Sequence, residues 1–364
     1  MNDPKFSALL YCFFNIFIKN QLTNFNFAQH NIKIKVVLNF IRRIFMKTKM
    51  LFLSMLLLFA VALGLHAGGA RGEWPTRAIT VVVPSGAGGD TDFNARAYAT
   101  RLQRFLGQPV VVQNMPGAGH ALGTRHVRTS APDGYTVMFN HAAMFFNYAL
   151  GANDFGIEAF EVAAIAGLEG GSVVTVNANS PYMTLQELIA SSRTASPPLS
   201  FAATAGATTF GMGAMLNREG GNFNLVDIGA AADRLAALMG GHVTTIPNAV
   251  GTLIPFLQSG DFRALAILRN DRNPFAPDIP TAIEQGINAA MPIYYFFAFP
   301  AGTPREIVER FTDAAEQVNR LPEYAAALEA FMQVPYFVRG DAARQQLLRQ
   351  QAEIMGMRDL LLGR

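Results

Sequence analysis

Strand-like runs of β-branched and apolar residues alternate with helix-periodic stretches along most of this chain, and glycine clusters stand where several of the runs end. "AITVVVP" leads through "SGAGGD" into a helical pattern from about Asp92 to Leu106, with Phe93, Ala97, Leu102, Phe105 and Leu106 as its apolar positions. "PVVVQN" (109–114) and "GYTVMFN" (134–140) follow, with a helix expected near 119–129 between them. Further strands are read at "SVVTVN" (172–177), "LSFAAT" (199–204), "FNLVDI", "HVTTIP" and "FRALAIL", separated by helices near 184–193, 208–219 and 232–240. Thr184 and Glu187 have the spacing of a capping box. Three helices, 304–319, 322–332 and 341–357, close the chain, the first with Thr303 as N-cap and Pro304 at its first helical position. Such alternation predicts an α/β protein whose parallel-dominated sheets are covered by helices. The 294 residues from Arg71 onward suit two lobes, and a single doubly wound domain is the alternative.

The beginning of the chain reads differently. Residues 1–45 contain no glycine and are crowded with Phe, Ile, Asn and Lys, and a spurious upstream extension is expected there, with Met46 as the start of translation. A membrane extension is the alternative. Residues 46–70 have the layout of a secretory signal peptide: Lys47 and Lys49, then 16 apolar residues from Met50 to Leu65, then small residues ending at Ala70. That run is short for a membrane span, which needs about 20. All six lysines precede residue 50, so 21 arginines face 25 acidic residues from Arg71 on, a net charge of −4. The chain's overall +3 therefore belongs to its leader and gives no ground for nucleic-acid binding. Cys12, the one cysteine, also lies in the leader, which excludes cysteine nucleophiles and thiolate metal sites from the remainder. An exported, disulfide-free protein of a periplasm fits these facts.

The glycine loop at 86–89 is the first candidate site. A phosphate loop needs a lysine, which the exported part lacks, and a dinucleotide fingerprint needs a third glycine where Asp90, Thr91 and Asp92 stand. Two carboxylates beside a phosphate repel it. A carboxylate ligand on backbone N–H groups at the helix start fits better, with Asp92 or Asp90 as helix cap or as acceptor for a ligand donor. A tight turn without a ligand remains open. "NMPGAGHALGT", "NHAAMF" and "ATAGATTFG" occupy equivalent places at strand ends, where open α/β sheets bind ligands. Thr204, Thr208 and Thr209 offer hydroxyls there, and Gly206 allows close backbone approach. Enzyme machinery is sparse, with no G-x-S-x-G elbow and no zinc-helix spacing among His120, His126, His141 and His242. His141, at a strand end, is the histidine best placed to touch a ligand, whereas "YYFFAF" (294–299) reads as core strand.

From residue 73 to the end the chain resembles the solute-binding receptors of tripartite tricarboxylate transporters, the Bug family of extracytoplasmic receptors. The motifs, in order, are "WPTRAITVVVPSGAGGDTDFNAR", "LGQPVVVQNMPGAG", "APDGYTVM", "MTLQELI", the Gly240–Gly241 pair, "FRALAIL", "APDIPTAIEQG" and "FPAGTPREIVERF". The resemblance implies a type II periplasmic binding protein, non-catalytic and without a cofactor. Its implied partners are a small carboxylate and the membrane permease subunits, and a monomer is expected. It implies one lobe from 71–175 plus 296–364 and another from 176–295. It also implies a carboxylate held by amides and bridging waters, without an arginine clamp. Carried over by position, the contacts fall on Ser85, Ala87, Gly88, Gly89 and Asp92 in the first loop. Thr204, Ala205, Gly206 and Thr208 form the opposed loop, and His141 and Ala142 a third stretch.

Some positions depart from the family pattern. "VDIGA" (226–230) replaces the usual VPYKG, Thr244 replaces an aspartate, and "TAGATT" stands where a Ser-Gly-Ser-rich loop is usual. Asp227 is thereby introduced at the site, and a ligand with a hydroxyl or amine beside its carboxylate is expected to suit it.

Overall fold

The computed structural model describes residues 74–363. The spurious extension at 1–45 and the signal peptide at 46–70 lie outside the described residues. Among those residues no helix is long and apolar enough to cross a membrane.

Two sheets organise the chain. The first has six strands in the order β11-β4-β10-β3-β1-β2, drawn from β1 (Ile79–Val83), β2 (Val110–Asn114), β3 (Thr136–Asn140), β4 (Phe160–Leu168), β10 (Tyr294–Pro300) and β11 (Val338–Arg339). The second has five in the order β7-β6-β8-β5-β9, from β5 (Ser172–Asn177), β6 (Ser200–Ala203), β7 (Asn224–Asp227), β8 (Thr245–Ala249) and β9 (Phe262–Ile267). The expected dominance of parallel pairing does not hold, because only four of the nine strand pairings are parallel. The reason is the route of the chain. β5 and β10 are the first strands after each crossing between sheets, so they begin where β8 and β3 end; Ser172 pairs with Ala249, and Phe296 with Asn140. Each sheet is therefore mixed, with the carboxyl ends of its parallel strands facing the region between the two.

The crossings themselves are close together. The outward one runs through Glu169, Gly170 and Gly171, and the Glu169 N–H donates to the carbonyl of Ile293 on the return, at 2.9 Å. Gly171, at φ +112°, takes a backbone conformation that a side chain disfavours.

Core formation follows the apolar patterning. Ile79, Val81, Val82 and Val83 are fully buried, as a strand covered on both faces requires. Helix α1 (Asp90–Leu106) buries Ala97, Leu102 and Leu106, while Phe93 is half-buried and stacks on Phe331 with ring centroids 3.8 Å apart. Gly107, left-handed at φ 71°, ends it by returning its N–H to Gln103. Beneath α1, Tyr98 meets Phe297 edge-on at 5.2 Å. The end of "YYFFAF" is thus core, as its composition suggested.

Two caps differ from expectation. Thr184 does accept the Glu187 N–H at 3.1 Å at the start of α4 (Leu185–Ser192), but the Glu187 carboxylate takes the N–H of Met183, not that of Thr184. At α8 (Arg305–Asn319) the N-cap is Pro304, one residue later than predicted. Thr303 instead turns its hydroxyl back to the Pro300 carbonyl at 2.8 Å, which leaves Pro304, without an N–H, to open the helix.

Candidate functional site

A cavity of about 400 Å3 lies at the strand ends between the two sheets. This is the size range of small-ligand pockets. Loops from the first sheet (84–91 and 116–120) and from the second (204–209 and 227–231) surround it, while Glu169, Ser172, Ile293 and Tyr295, beside the crossings, line it from the hinge side. The loops touch directly. A Cβ added to Gly119, whose φ is +59°, would lie 2.3 Å from the Ala205 carbonyl oxygen, and one on Gly86 would lie 3.0 Å from the Ala230 side chain.

The two acids at the start of α1 diverge. Residues two apart on a helix point roughly 200° away from each other. Asp92 turns to its own loop, accepting the Gly88 N–H at 3.0 Å, the Asn114 amide at 2.9 Å and Arg96 at 3.0 Å. Burial pushes its pKa up, but the hydrogen bonds from Arg96, Gly88 and Asn114 outweigh this and hold it below the usual carboxylate range. Asp90 turns to the cavity, where it accepts the Tyr295 hydroxyl and, at 2.7 Å, the Gln333 amide. Burial raises its pKa despite these two donors. Glu169, 5% exposed, is also raised by burial and by the charge of Asp90. Its Oε1 accepts the Ser172 hydroxyl at 2.8 Å, whereas its buried Oε2 has no hydrogen-bond partner.

Across the cavity, α6 (Ala231–Met239) presents Arg234, only 7% exposed. Its Nε donates to Asn248 at 2.9 Å, and its Nη1 to Thr204 Oγ1 at 2.9 Å and the Gly229 carbonyl at 2.7 Å. All three acceptors are uncharged, and burial lowers the guanidinium pKa to about 10, leaving it cationic at neutral pH. An arginine therefore lines the cavity, where the sequence had pointed to backbone amides and waters. An alanine-rich helix hid this side chain among residues that read as a plain amphipathic surface.

Two histidines complete the wall. His141 donates its backbone N–H to Asn140 Oδ1, which fixes that atom as an acceptor, so His120 must donate to it from Nδ1 at 2.9 Å. The Nδ1 of His141 accepts the Ala143 N–H at 3.2 Å, leaving its Nε2 protonated. Burial depresses both pKa values, that of His120 to about 4, so both rings are neutral near pH 7. One therefore offers an acceptor at Nε2 and its neighbour, 4.8 Å away, a donor. Among the described residues no group of three or more His, Cys, Asp or Glu is arranged to hold a metal ion.

Of the residues expected from sequence, Ser85, Gly89, His141, Thr204, Ala205, Thr208 and Asp227 line the cavity. Ala87, Gly88, Asp92, Ala142 and Gly206 do not. The Gly88 N–H is bonded to Asp92, that of Thr204 to Thr209 Oγ1 at 2.9 Å, and that of Ala205 to Asp227 at 3.0 Å. Several expected main-chain donors are thus engaged within the protein, and Asp227 fastens a loop. Arg234, Glu169, Tyr295 and His120 were not singled out as ligand contacts. Asp90 was, but only as an alternative to Asp92.

Two mixed α/β sheets, joined by paired crossings and enclosing a ligand-sized cavity at their strand ends, define a two-lobed binding protein of the type II kind. Comparison narrows the class: the model of the tripartite tricarboxylate transporter family receptor matches residues 94–356. The chain belongs to this receptor family. It is 30% identical, over 78% of its length and 88% of the relative's, to the UPF0065 protein in the gbd 5′ region of Cupriavidus necator. Among solved structures, the periplasmic binding protein BugD shares the fold at a TM-score of 0.74 and 24% identity, over 79% of this chain and 98% of that one. MatC from Rhodopseudomonas palustris, solved with bound malate, matches at a TM-score of 0.69 and 26% identity, over 79% of this chain and all of that one.

Two predictions follow from the geometry. Gly119→Ala places a methyl against the Ala205 carbonyl and forces an alanine to positive φ, so the loops can no longer meet. Titration calorimetry should then show ligand affinity reduced at least about tenfold, with far-UV circular dichroism unchanged; wild-type affinity would mean the contact has no part in binding. The second concerns pH. Asp90 and Glu169 hold protons in the native state at pH values where the unfolded chain, titrating near pH 4, has lost them, so their contribution to stability declines as pH rises from about 4 through the raised native values. Glu169→Gln removes one such group, and its Tm advantage over wild type should grow between pH 5 and pH 8. A pH-independent difference would contradict this account.

Proposed function

We propose that this chain is a periplasmic receptor that captures a small organic carboxylate and delivers it to the membrane permease of a tripartite transporter. It acts as a monomer and makes or breaks no bond. The observation that carries the ligand class is Arg234: a cationic guanidinium, almost fully buried on the cavity wall, whose protein partners are all neutral. Asp233 and Glu169 act on it only through their fields, so no carboxylate pairs with it directly, and an anionic ligand supplies that partner. The malate bound by MatC, 26% identical, supports an organic acid as that anion.

The lobes are taken as the bodies around the two sheets, hinged at 169–171 and near residue 293. The first lobe would hold the ligand through Ser85, Gly89 and His141, the second through Thr204, Ala205, Thr208 and Arg234. Asp227 would hold the second loop in shape, and Asp92 the first. The cavity offers donors and acceptors around a single cation, with the carboxyl groups of Asp90, Glu169 and Asp227 also on its wall, which suits reversible capture. A handful of hydrogen bonds to a carboxylate, at roughly 1.5–3 kcal/mol each, can support affinity near micromolar, about −8 kcal/mol.

Thermal-shift titration with mono-, di- and tricarboxylates tests this reading, since a ligand of the native state raises Tm with its concentration. At least one acid should do so. Arg234→Met should weaken its binding by about ten- to a hundredfold, the loss of a charge-assisted contact. No shift with any acid, or full affinity in the variant, would refute it.

A further inference from the structure

The cavity is chemically lopsided. Arg234 provides a cation on one side, while Asp90 and Glu169 bring two carboxyl groups to the same space near the hinge. Glu169 makes no ion pair with Arg234 within 4 Å, although each lies in the other's field. The donors available to the two acids are unequal. Asp90 has Tyr295 and Gln333, but Glu169 has the Ser172 hydroxyl alone, and its Oε2 is buried with nothing to accept from. An orphaned carboxyl oxygen in a closed site calls for a donor from the ligand.

We propose that the natural ligand carries, in addition to the carboxylate met by Arg234, a hydrogen-bond-donating group, a hydroxyl or an ammonium, that Glu169 accepts. The proposal rests on the receptor reading above and specifies its substrate class. It moves to Glu169 the role that sequence suggested for Asp227, which is exposed and turns its Oδ1 to the Ala205 N–H. Two further features favour it. The hinge-side wall already contains two acids, and a second ligand carboxylate directed there opposes their ionisation, whereas a donor favours it. Ser172 and Tyr295 hold Glu169 and Asp90 through hydroxyls, so both carboxyls are fixed before a ligand arrives.

Calorimetry with two matched sets of acids decides the matter: propionate, lactate and alanine, then succinate, malate and aspartate. In the wild type the hydroxy or amino member should bind at least about tenfold more tightly than the unsubstituted acid of its set, as expected for a hydrogen bond to a carboxylate that the ligand's donor keeps ionised in the complex. Preference for the amino member identifies an ammonium, and preference for the hydroxy member a hydroxyl. Glu169→Met, which removes the acceptor, should reduce either advantage to threefold or less. Glu169→Gln keeps an acceptor without charge, so it should abolish an ammonium preference and retain most of a hydroxyl preference. If Glu169→Met does not fold by circular dichroism, the Gln variant and the wild-type ratios still decide. Equal binding of substituted and unsubstituted acids by wild type, or an advantage that survives Glu169→Met, overturns the proposal. Failure of every acid to bind overturns the receptor reading on which it rests, a result distinct from binding without preference.

Discussion

A carboxyl group buried at the place where a chain crosses between two sheets is the constraint around which the rest of this structure is arranged. Glu169 sits in the outward crossing, and its N–H bonds to Ile293 of the return. Tyr295, one residue inside the returning strand, donates to Asp90 at the start of α1. The hinge, the first glycine loop and the cavity are thereby one connected unit. Burying two acids that incompletely find donors lowers stability relative to an apolar packing of the same space. A fold keeps such a feature where function requires an unsatisfied group.

The glycine loops take their shape from side chains, and this changes what they can offer. Asp92 gathers Gly88, Asn114 and Arg96, and Asn114 reaches on to the Ser85 carbonyl at 3.1 Å. On the opposite side Asp227 and Thr209 tie down the N–H groups of Ala205 and Thr204. Loops fixed in this way are preorganised, so a ligand orders little on binding. The same bonds withdraw main-chain donors and leave Arg234, His141 and His120 as the polar side chains that the cavity offers in their place.

Much of the fold was legible because periodicity and punctuation agree. The β-branched run at 79–83 and the Thr184 N-cap each have a local cause and form where they were read, although Glu187 does not return to Thr184 as a capping box requires. What was not legible depends on long-range placement. Arg234 lies in "AADRLAALM", where nothing local distinguishes a solvent-facing arginine from one turned inward to Asn248. Glu169 in "GLEGG" carries no local signal, and its importance arises only because β10 returns beside it. Tyr295 belongs to an aromatic strand that is mostly core, and only the neighbouring Asp90 gives its hydroxyl a purpose. Asp90 and Asp92 are equivalent by composition, and the helix turns one to the cavity and the other to the loop. The mixed pairing follows from two crossings, which no pattern within single strands encodes.

The anchoring of Arg234 explains how one cation can select an anion without trapping it. Its Nε and Nη1 are held by Asn248, Thr204 and Gly229, so the guanidinium is fixed in orientation before a ligand arrives. Fixing it beforehand removes the rotamer entropy that a free arginine would lose on binding. Yet Thr204 and Gly229 belong to the second-sheet loops, while His120 and Gly119 come from the first, and the two sides meet at close contacts such as Gly119 with Ala205. The anion site is therefore built rigidly on one side and completed by the other. In the proposed receptor, closure would add contacts to a ligand already oriented by Arg234, and opening would remove them without dismantling the charged anchor.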